Sequence, residues 1–169
     1  MIEYARNALG LTEADHAESN PLAEFALIAP LACSLTEGSQ GVVYFQAGSR
    51  IAAIYGQPEA TEEFNCNYGV SPDHHAILEA SNLHVTGVDS QNEVRVVELE
   101  GHPFFIATLF QPERSAFKGV VHPLIRAFLQ ASAAYQSEEI VSHLPAIESG
   151  GTRQADRQDH RRGRAYGES

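Results

Sequence analysis

The stretch FFIATLFQPE, residues 104–113, constrains the fold more than any other part of this chain. Residues 104–110 are almost wholly apolar and show no alternation. Such a run suits a strand buried on both faces, as in a parallel sheet covered by helices. Pro112 has no N–H to give to a sheet ladder, so the strand is predicted to stop before it. The residues after the run then lie at a strand's carboxyl end, where open α/β sheets place ligands. The expectation is an α/β fold with Gln111 and Glu113 at that end.

The rest of the chain supplies partners for such a strand. Residues 1–9 are predicted as a helix with Gly10 as its C-terminal cap. Ile2, Ala5 and Leu9 form its apolar stripe, and no Ser, Thr, Asp or Asn caps its start. A helix opening in this way reads as the middle of a longer element. Residues 13–21 are polar and read as a loop. Residues 25–35 are apolar but interrupted by Pro30, which gives a short strand or an irregular packed segment. Residues 41–45 and 64–70 read as short strands, and residues 49–55 as a helical turn closed by Gly56. Ser71-Pro72 opens a helix to about residue 81, with Ser as N-cap and Pro at the first position. His74 and His75, near the start of that helix, are expected in solvent. Residues 83–88 and 94–99 read as a hairpin turning at Ser90-Gln91-Asn92. His122-Pro123 opens a last helix with Leu124, Ile125, Phe128, Leu129 and Ala133 on one face. Residues 1–136 thus form the predicted domain, and residues 137–169 a polar, disordered tail with little to bury.

Bulk properties narrow the function. The net charge of −11 argues against a nucleic-acid surface. Arg153, Arg157, Arg161, Arg162 and Arg164 lie near the C-terminus, so the body is more acidic than the average over all 11 basic residues suggests. No apolar run has the length of a membrane span, and no signal segment opens the chain, so a cytoplasmic setting is expected. Cys33 and Cys66 make no disulfide framework. Cys33, in Leu31-Ala32-Cys33, is expected to be a small buried hydrophobe, and Cys66 a structural residue. No His or Cys pair has zinc spacing and no glycine-rich phosphate loop is present, so neither metal nor cofactor is expected.

Leu109-Phe110-Gln111-Pro112-Glu113 resembles the strand end Gln-Phe-His-Pro-Glu of the class I glutamine amidotransferase lobe of CTP synthase. Further matches keep their order. Met1-Ile2-Glu3-Tyr4-Ala5-Arg6-Asn7 resembles the helix that follows the family's nucleophile. Ala17-Glu18-Ser19 falls where the family has a glutamate contacting glutamine. Tyr68-Gly69-Val70-Ser71 resembles Tyr-Glu-Val-Asn, Gly101-His102-Pro103-Phe104-Phe105 resembles His-Pro-Trp/Phe-Phe, and His122-Pro123-Leu124 resembles His-Pro-Leu. The matches run from Met1 to about Ala133. Stand-alone proteins related to the C-terminal region of CTP synthase share this character. The resemblance implies a three-layer Rossmann-like fold, here lacking its N-terminal strands and nucleophile elbow.

The resemblance also implies a site and shows where it departs. Glu113 takes the place of the acid of a Cys-His-Glu triad, and Gln111 stands where the histidine would be. The nucleophilic Gly-x-Cys turn would fall upstream of Met1. The Arg that pairs with glutamine's carboxylate is replaced near Asn67, in Glu63-Phe64-Asn65-Cys66-Asn67. Glutamine has no titratable side-chain proton near neutrality, so Gln111 cannot relay one. The expected function is a glutamine amidotransferase-like domain related to CTP synthase, incomplete and inactive as an isolated chain. In that family the lobe hydrolyses glutamine and passes ammonia to a synthetase that aminates UTP with ATP, and no synthetase domain is present here. A native chain extended upstream to a nucleophilic Cys would be an amidase with an altered triad. A non-catalytic ligand-binding or regulatory module is the alternative, using a pocket of Glu18, Asn67, Gln111 and Glu113. Without an arginine, that pocket would favour a cationic or neutral ligand. A fragment without function is the third reading. Expected partners are a small amide or amine such as glutamine, and a second copy or a synthetase, with neither nucleic acid nor membrane. His102 and His122, each before a proline, are expected to be structural.

Overall fold

The computed structural model describes residues 1–143, apart from the side chains of 32–37 and 138–143. The 137–169 tail and the Cys33 side chain therefore lie, wholly or largely, outside the described residues. Among the described residues six strands form one mixed sheet. They are β1 (Ala14–His16), β2 (Phe25–Phe45), β3 (Glu59–Val70), β4 (Leu83–Val88), β5 (Val94–Leu99) and β6 (Ile106–Thr108). The α-helices among the described residues are α1 (Ile2–Asn7), α2 (Arg50–Tyr55), α3 (His75–Glu79) and α4 (Pro123–His143). The order is β1-β2-β4-β5-β6, with β3 on the other edge of β2. Only β1 and β2 run parallel; the other pairings are antiparallel.

The run at 104–110 differs from its expected form. Only Ile106–Thr108 is strand, and it pairs antiparallel with β5, Val97 opposite Ala107. Phe105 is exposed and Ile106, Ala107 and Thr108 are half-buried. The reason is the short connection. Residues 100–105 are too few for the crossover that parallel neighbours need, so the chain must return as a hairpin. Beyond β6 the chain crosses to β3. Phe110 bridges Phe64, and the Gln111 N–H donates to the Glu63 carbonyl at 3.1 Å. The two ends of the strand array are thereby brought together, with the Phe64 and Phe110 rings edge-on at 6.2 Å.

Three other expectations are revised. The two apolar segments around Pro30 and Gly41 are one strand, β2. Pro30 stays opposite Tyr68, and the register shifts between Pro30 and Ser39. The expected loop at 13–21 contains β1. The last helix runs to His143, and its apolar face is not buried: Leu124 is inside, while Ile125, Phe128, Leu129 and Ala133 are exposed. The first helix ends at Asn7, earlier than expected, with Gly10 at a positive φ just beyond.

Other local signals are realised. Ser49 accepts the Ala52 N–H, Gly56 closes α2 in the left-handed region, and the Glu98 carboxylate takes the Ile51 N–H at 2.9 Å. Val43, Phe45, Ile51, Phe64, Val96 and Phe110 fill the main core. A second cluster gathers Val70, Leu78, Leu83, Val94 and Val97. Arg6 fastens α1 to β1, donating to the Ala14 carbonyl at 2.7 Å. Neither histidine at 74–75 is simply solvated: His74 stacks on Phe25 at 4.2 Å, and His75 Nε2 is buried.

Candidate ligand site

A cavity of about 470 Å³ lies among α1, β3, β5 and β6. Ile28, Val70, Val96, Val97 and Ala107 give it a mainly apolar wall. Its polar lining comes from Cys66 and Tyr68 on β3, His16 on β1, Arg95 on β5 and Thr108 on β6. Strand register places these side chains together, since Cys66 and Tyr68 alternate on the same face of β3. The Cys66 thiol donates to the Tyr68 carbonyl at 3.1 Å. The Tyr68 and His16 rings are tilted at 5.2 Å.

Arg95 is only 2% exposed. Its Nε and Nη2 donate to Asp89 Oδ2 at 3.2 and 2.6 Å, and its guanidinium lies 5.5 Å over the Phe64 ring. Nη1 is buried and has no partner among the described residues. An unpaired buried N–H is costly, and an acceptor oxygen would satisfy it. Sequence reasoning missed this residue and expected a pocket without arginine. The available signal was a single cation set among valines, Val94-Arg95-Val96-Val97, which in a hairpin reads as a solvent-facing position.

The four residues expected to form one pocket do not line a common cavity. Gln111 is half-buried in a separate cleft of about 90 Å³ with Gln40, Glu62, Glu63, Arg114 and Lys118. Its Oε1 accepts from Arg114 Nη1 at 3.5 Å. The adjacent Glu63 carboxylate pairs with Lys118 and, at 3.4 Å, with Arg114. The hydrogen bond from Lys118 holds the Glu63 carboxyl below its usual range, helped by Gln40 and Arg114 against a smaller opposing effect of burial. Glu113, expected at the place of the triad acid, is exposed on the turn Pro112–Lys118, because the short helical turn after Pro112 carries it outward. Glu18 is exposed after β1, its N–H donating to His16 Nδ1 at 3.1 Å. Asn67 is exposed on the opposite face of β3 from Cys66.

A third polar group joins elements that sequence reasoning did not connect. Tyr55 on α2 donates to Glu62 on β3, and His122 Nε2 lies 3.1 Å from the Tyr55 hydroxyl and 3.2 Å from both Glu62 oxygens. His122 Nδ1 accepts the Leu124 N–H at 3.2 Å, so Nε2 carries the proton given to Glu62. Burial first, then the Glu62 carboxylate, pushes the Tyr55 hydroxyl far above its ordinary value. This group locks the start of α4 onto the sheet. No group of three or more His, Cys, Asp or Glu is placed to hold a metal among the described residues, and no described helix is long and apolar enough to cross a membrane.

No family model matches the chain. Curated relatives do. It is 29% identical over 143 residues to the CTP synthase of Sulfolobus acidocaldarius, covering 79% of this chain and 27% of that protein. It is 29% identical over 158 residues to the CTP synthase of Acidobacterium capsulatum, covering 88% and 29%. For the CTP synthase of Drosophila melanogaster the figures are 32% over 123 residues, 67% and 20%. The chain thus spans less than a third of the length of these relatives. Among solved structures, the glutaminase domain of Trypanosoma brucei CTP synthase with bound acivicin superposes with a TM-score of 0.71 at 24% identity, over 79% of this chain and 55% of that one. The chain is a relative of CTP synthase in sequence, with the glutamine amidotransferase-like fold of a CTP synthase glutaminase domain.

Proposed function

We propose that this chain is a glutamine amidotransferase-like domain of the CTP synthase kind that binds a glutamine-like amide and does not hydrolyse it as an isolated chain. Gln111 carries the reading. It stands at the position where the resemblance puts the catalytic histidine, and it has no proton to relay. Its side chain accepts from Arg114 beside the Glu63 ion pairs, in a cleft whose lining does not include Cys66. Amide hydrolysis through a thioester needs a thiol and base in hydrogen-bond reach. Glu113, on the solvent side, has no imidazole to orient among the described residues.

Binding has better support. The 470 Å³ cavity is of ligand size, and Cys66, Tyr68, His16 and Thr108 add polar groups to its apolar wall. CTP formation from UTP would then belong to an assembly with a synthetase partner, in the cytoplasm.

The test is ammonia release from glutamine by the purified chain, with glutamine binding measured in parallel by calorimetry. The expected result is saturable binding with ammonia release at the uncatalysed background, and no gain on Gln111→His. Ammonia release that Cys66→Ser abolishes would overturn the reading.

A further inference from the structure

We propose that the 470 Å³ cavity takes an extended, uncharged stretch of another polypeptide, laid as a strand between the facing edges of β3 and β6. The inference rests on the reading of this cavity as an amide-binding site and names the form of the amide, which is the backbone of a bound strand.

Backbone register carries the argument. β3 and β6 meet at one isolated antiparallel bridge, Phe64 with Phe110, beside the hydrogen bond from the Gln111 N–H to the Glu63 carbonyl. From that junction β3 runs on to Val70, and the partner segment runs back through β6 to Ile106, in the same direction. A continued ladder would join them. Among the described residues, however, β3 has its ladder with β2 and β6 has its ladder with β5. The two strands part instead, and the cavity lies in the gap. Cys66, Tyr68 and Val70 line it on one side, and Ala107, Thr108 and Leu109 on the other.

Both edges turn backbone groups toward the gap. The Ser71 N–H donates to the Leu27 carbonyl, and Val70, Gly69 and Tyr68 follow in register opposite Ile28, Ala29 and Pro30. Backbone groups of successive residues alternate between the two sides of a strand. Gly69 therefore addresses β2, whereas Tyr68 and Val70 address the open side. On the other strand the Leu109 N–H donates to Arg95, and the Phe105 carbonyl accepts from Leu99, both across to β5. Ile106 and Thr108 consequently address the open side too. Two free edges about one gap are a template for a strand that pairs with both. A small ligand meets one or two such groups, but a polypeptide repeats donor and acceptor at the spacing of the edges.

The lining sets the side chains of the bound strand. Ile28, Val70, Val96, Val97 and Ala107 are apolar. The charge of Arg95 is met by Asp89 at 2.6 Å. An uncharged strand with β-branched residues fits such a wall.

The probe is the peptide acetyl-Thr-Val-Thr-Val-Thr-amide, added to the full chain and followed by calorimetry and by amide hydrogen exchange. Saturable binding is expected, with slower exchange at Tyr68, Val70 and Thr108 and none at Gly69 and Leu109, which already bond to neighbouring strands. N-methylation of the valine amides removes the donors toward one edge, and N-methylation of the threonine amides those toward the other. Each is expected to weaken binding by about tenfold or more. Glutamine binding, measured alongside, separates the two readings. Glutamine binding without peptide binding would overturn the strand and leave the amide site standing, and binding of neither would overturn both. Equal binding of the methylated peptides would also overturn the proposal, because shape and apolar contact alone would then hold the peptide. Protection of Tyr68, Val70 and Thr108 that grows with protein concentration, with no peptide added, would instead assign the gap to a second copy of this chain.

Discussion

Arg95 is the one Arg, Lys, Asp or Glu among the described residues that the fold takes fully out of water, and Asp89 is what makes that tolerable. Removing one partner of a buried pair leaves the other charge uncompensated, which is far more costly than the net worth of the pair. Asp89→Asn is expected to destabilise the chain by about 3 kcal/mol, read from urea unfolding at neutral pH. The pH dependence has a definite sign. Burial alone would raise the Asp89 carboxyl, but the hydrogen bond from Arg95, then the Glu93 and Gln91 N–H groups, bring it below its ordinary 3.8. A carboxyl lowered in the folded state stabilises fully above its unfolded value and loses that contribution as pH falls through the folded one. The gap between wild type and Asp89→Asn is therefore expected to be flat from neutrality to about pH 5 and to close below about pH 4. Equal gaps at neutral and strongly acid pH would refute this. None of it was legible in the sequence. Asp89 and Arg95 are close along the chain, but that the cation turns inward over Phe64 depends on how β3 and β5 come together, which no local pattern encodes.

At the scale of elements, what local chemistry decides was readable and what long-range pairing decides was not. Ser49 and Gly56 delimit α2 because a cap and a left-handed residue act within one turn. The β4–β5 hairpin was legible from its turn residues, and Asn92 indeed adopts a positive φ of 61° there. The length of β2 was hidden because Pro30 is usually a strand breaker, and only pairing with β3 carries the strand past it. The sense of β6 was misread because an apolar run reports burial, not direction. Gly87 shows how pairing writes itself into one residue. The β4–β5 register shifts on both sides of it, and a Cβ there would lie 2.6 Å from Val96 Cγ2 and 2.9 Å from Val96 Cβ. Val96 Cβ is tied to the backbone of β5 and cannot move aside. Gly87→Ala is expected to cost about 2 kcal/mol through overpacking, seen as a lower urea midpoint at unchanged slope. An unchanged midpoint would mean that the two strands separate freely at this bulge.

The molecule as a whole carries an apolar exterior that its sequence pattern assigned to the interior. Leu124 enters the core, but Ile125, Phe128 and Leu129 are 39, 50 and 60% exposed. On the preceding segment Phe117, Val120 and Val121 are 87, 58 and 57% exposed. Periodicity correctly marks these α4 residues as one face, yet it cannot say whether the chain supplies a covering layer. The described residues match only 55% of the related glutaminase chain, and none of them packs over this face fully. Large exposed apolar groups drive association, whereas their replacement by charge costs little when they were already wet. The start of α4 stays fixed in either case, because Tyr55, Glu62 and His122 hold it. Leu129→Glu combined with Phe117→Ser is therefore expected to alter unfolding free energy by less than about 1 kcal/mol while lowering self-association. Sedimentation velocity over a concentration series separates the two effects. Wild type is expected to sediment faster as concentration rises, and the double variant to remain a monomer. Concentration-independent sedimentation of both would mean that this face is stable in water as it stands, whereas loss of folding in the variant would mean that these side chains are packed in solution.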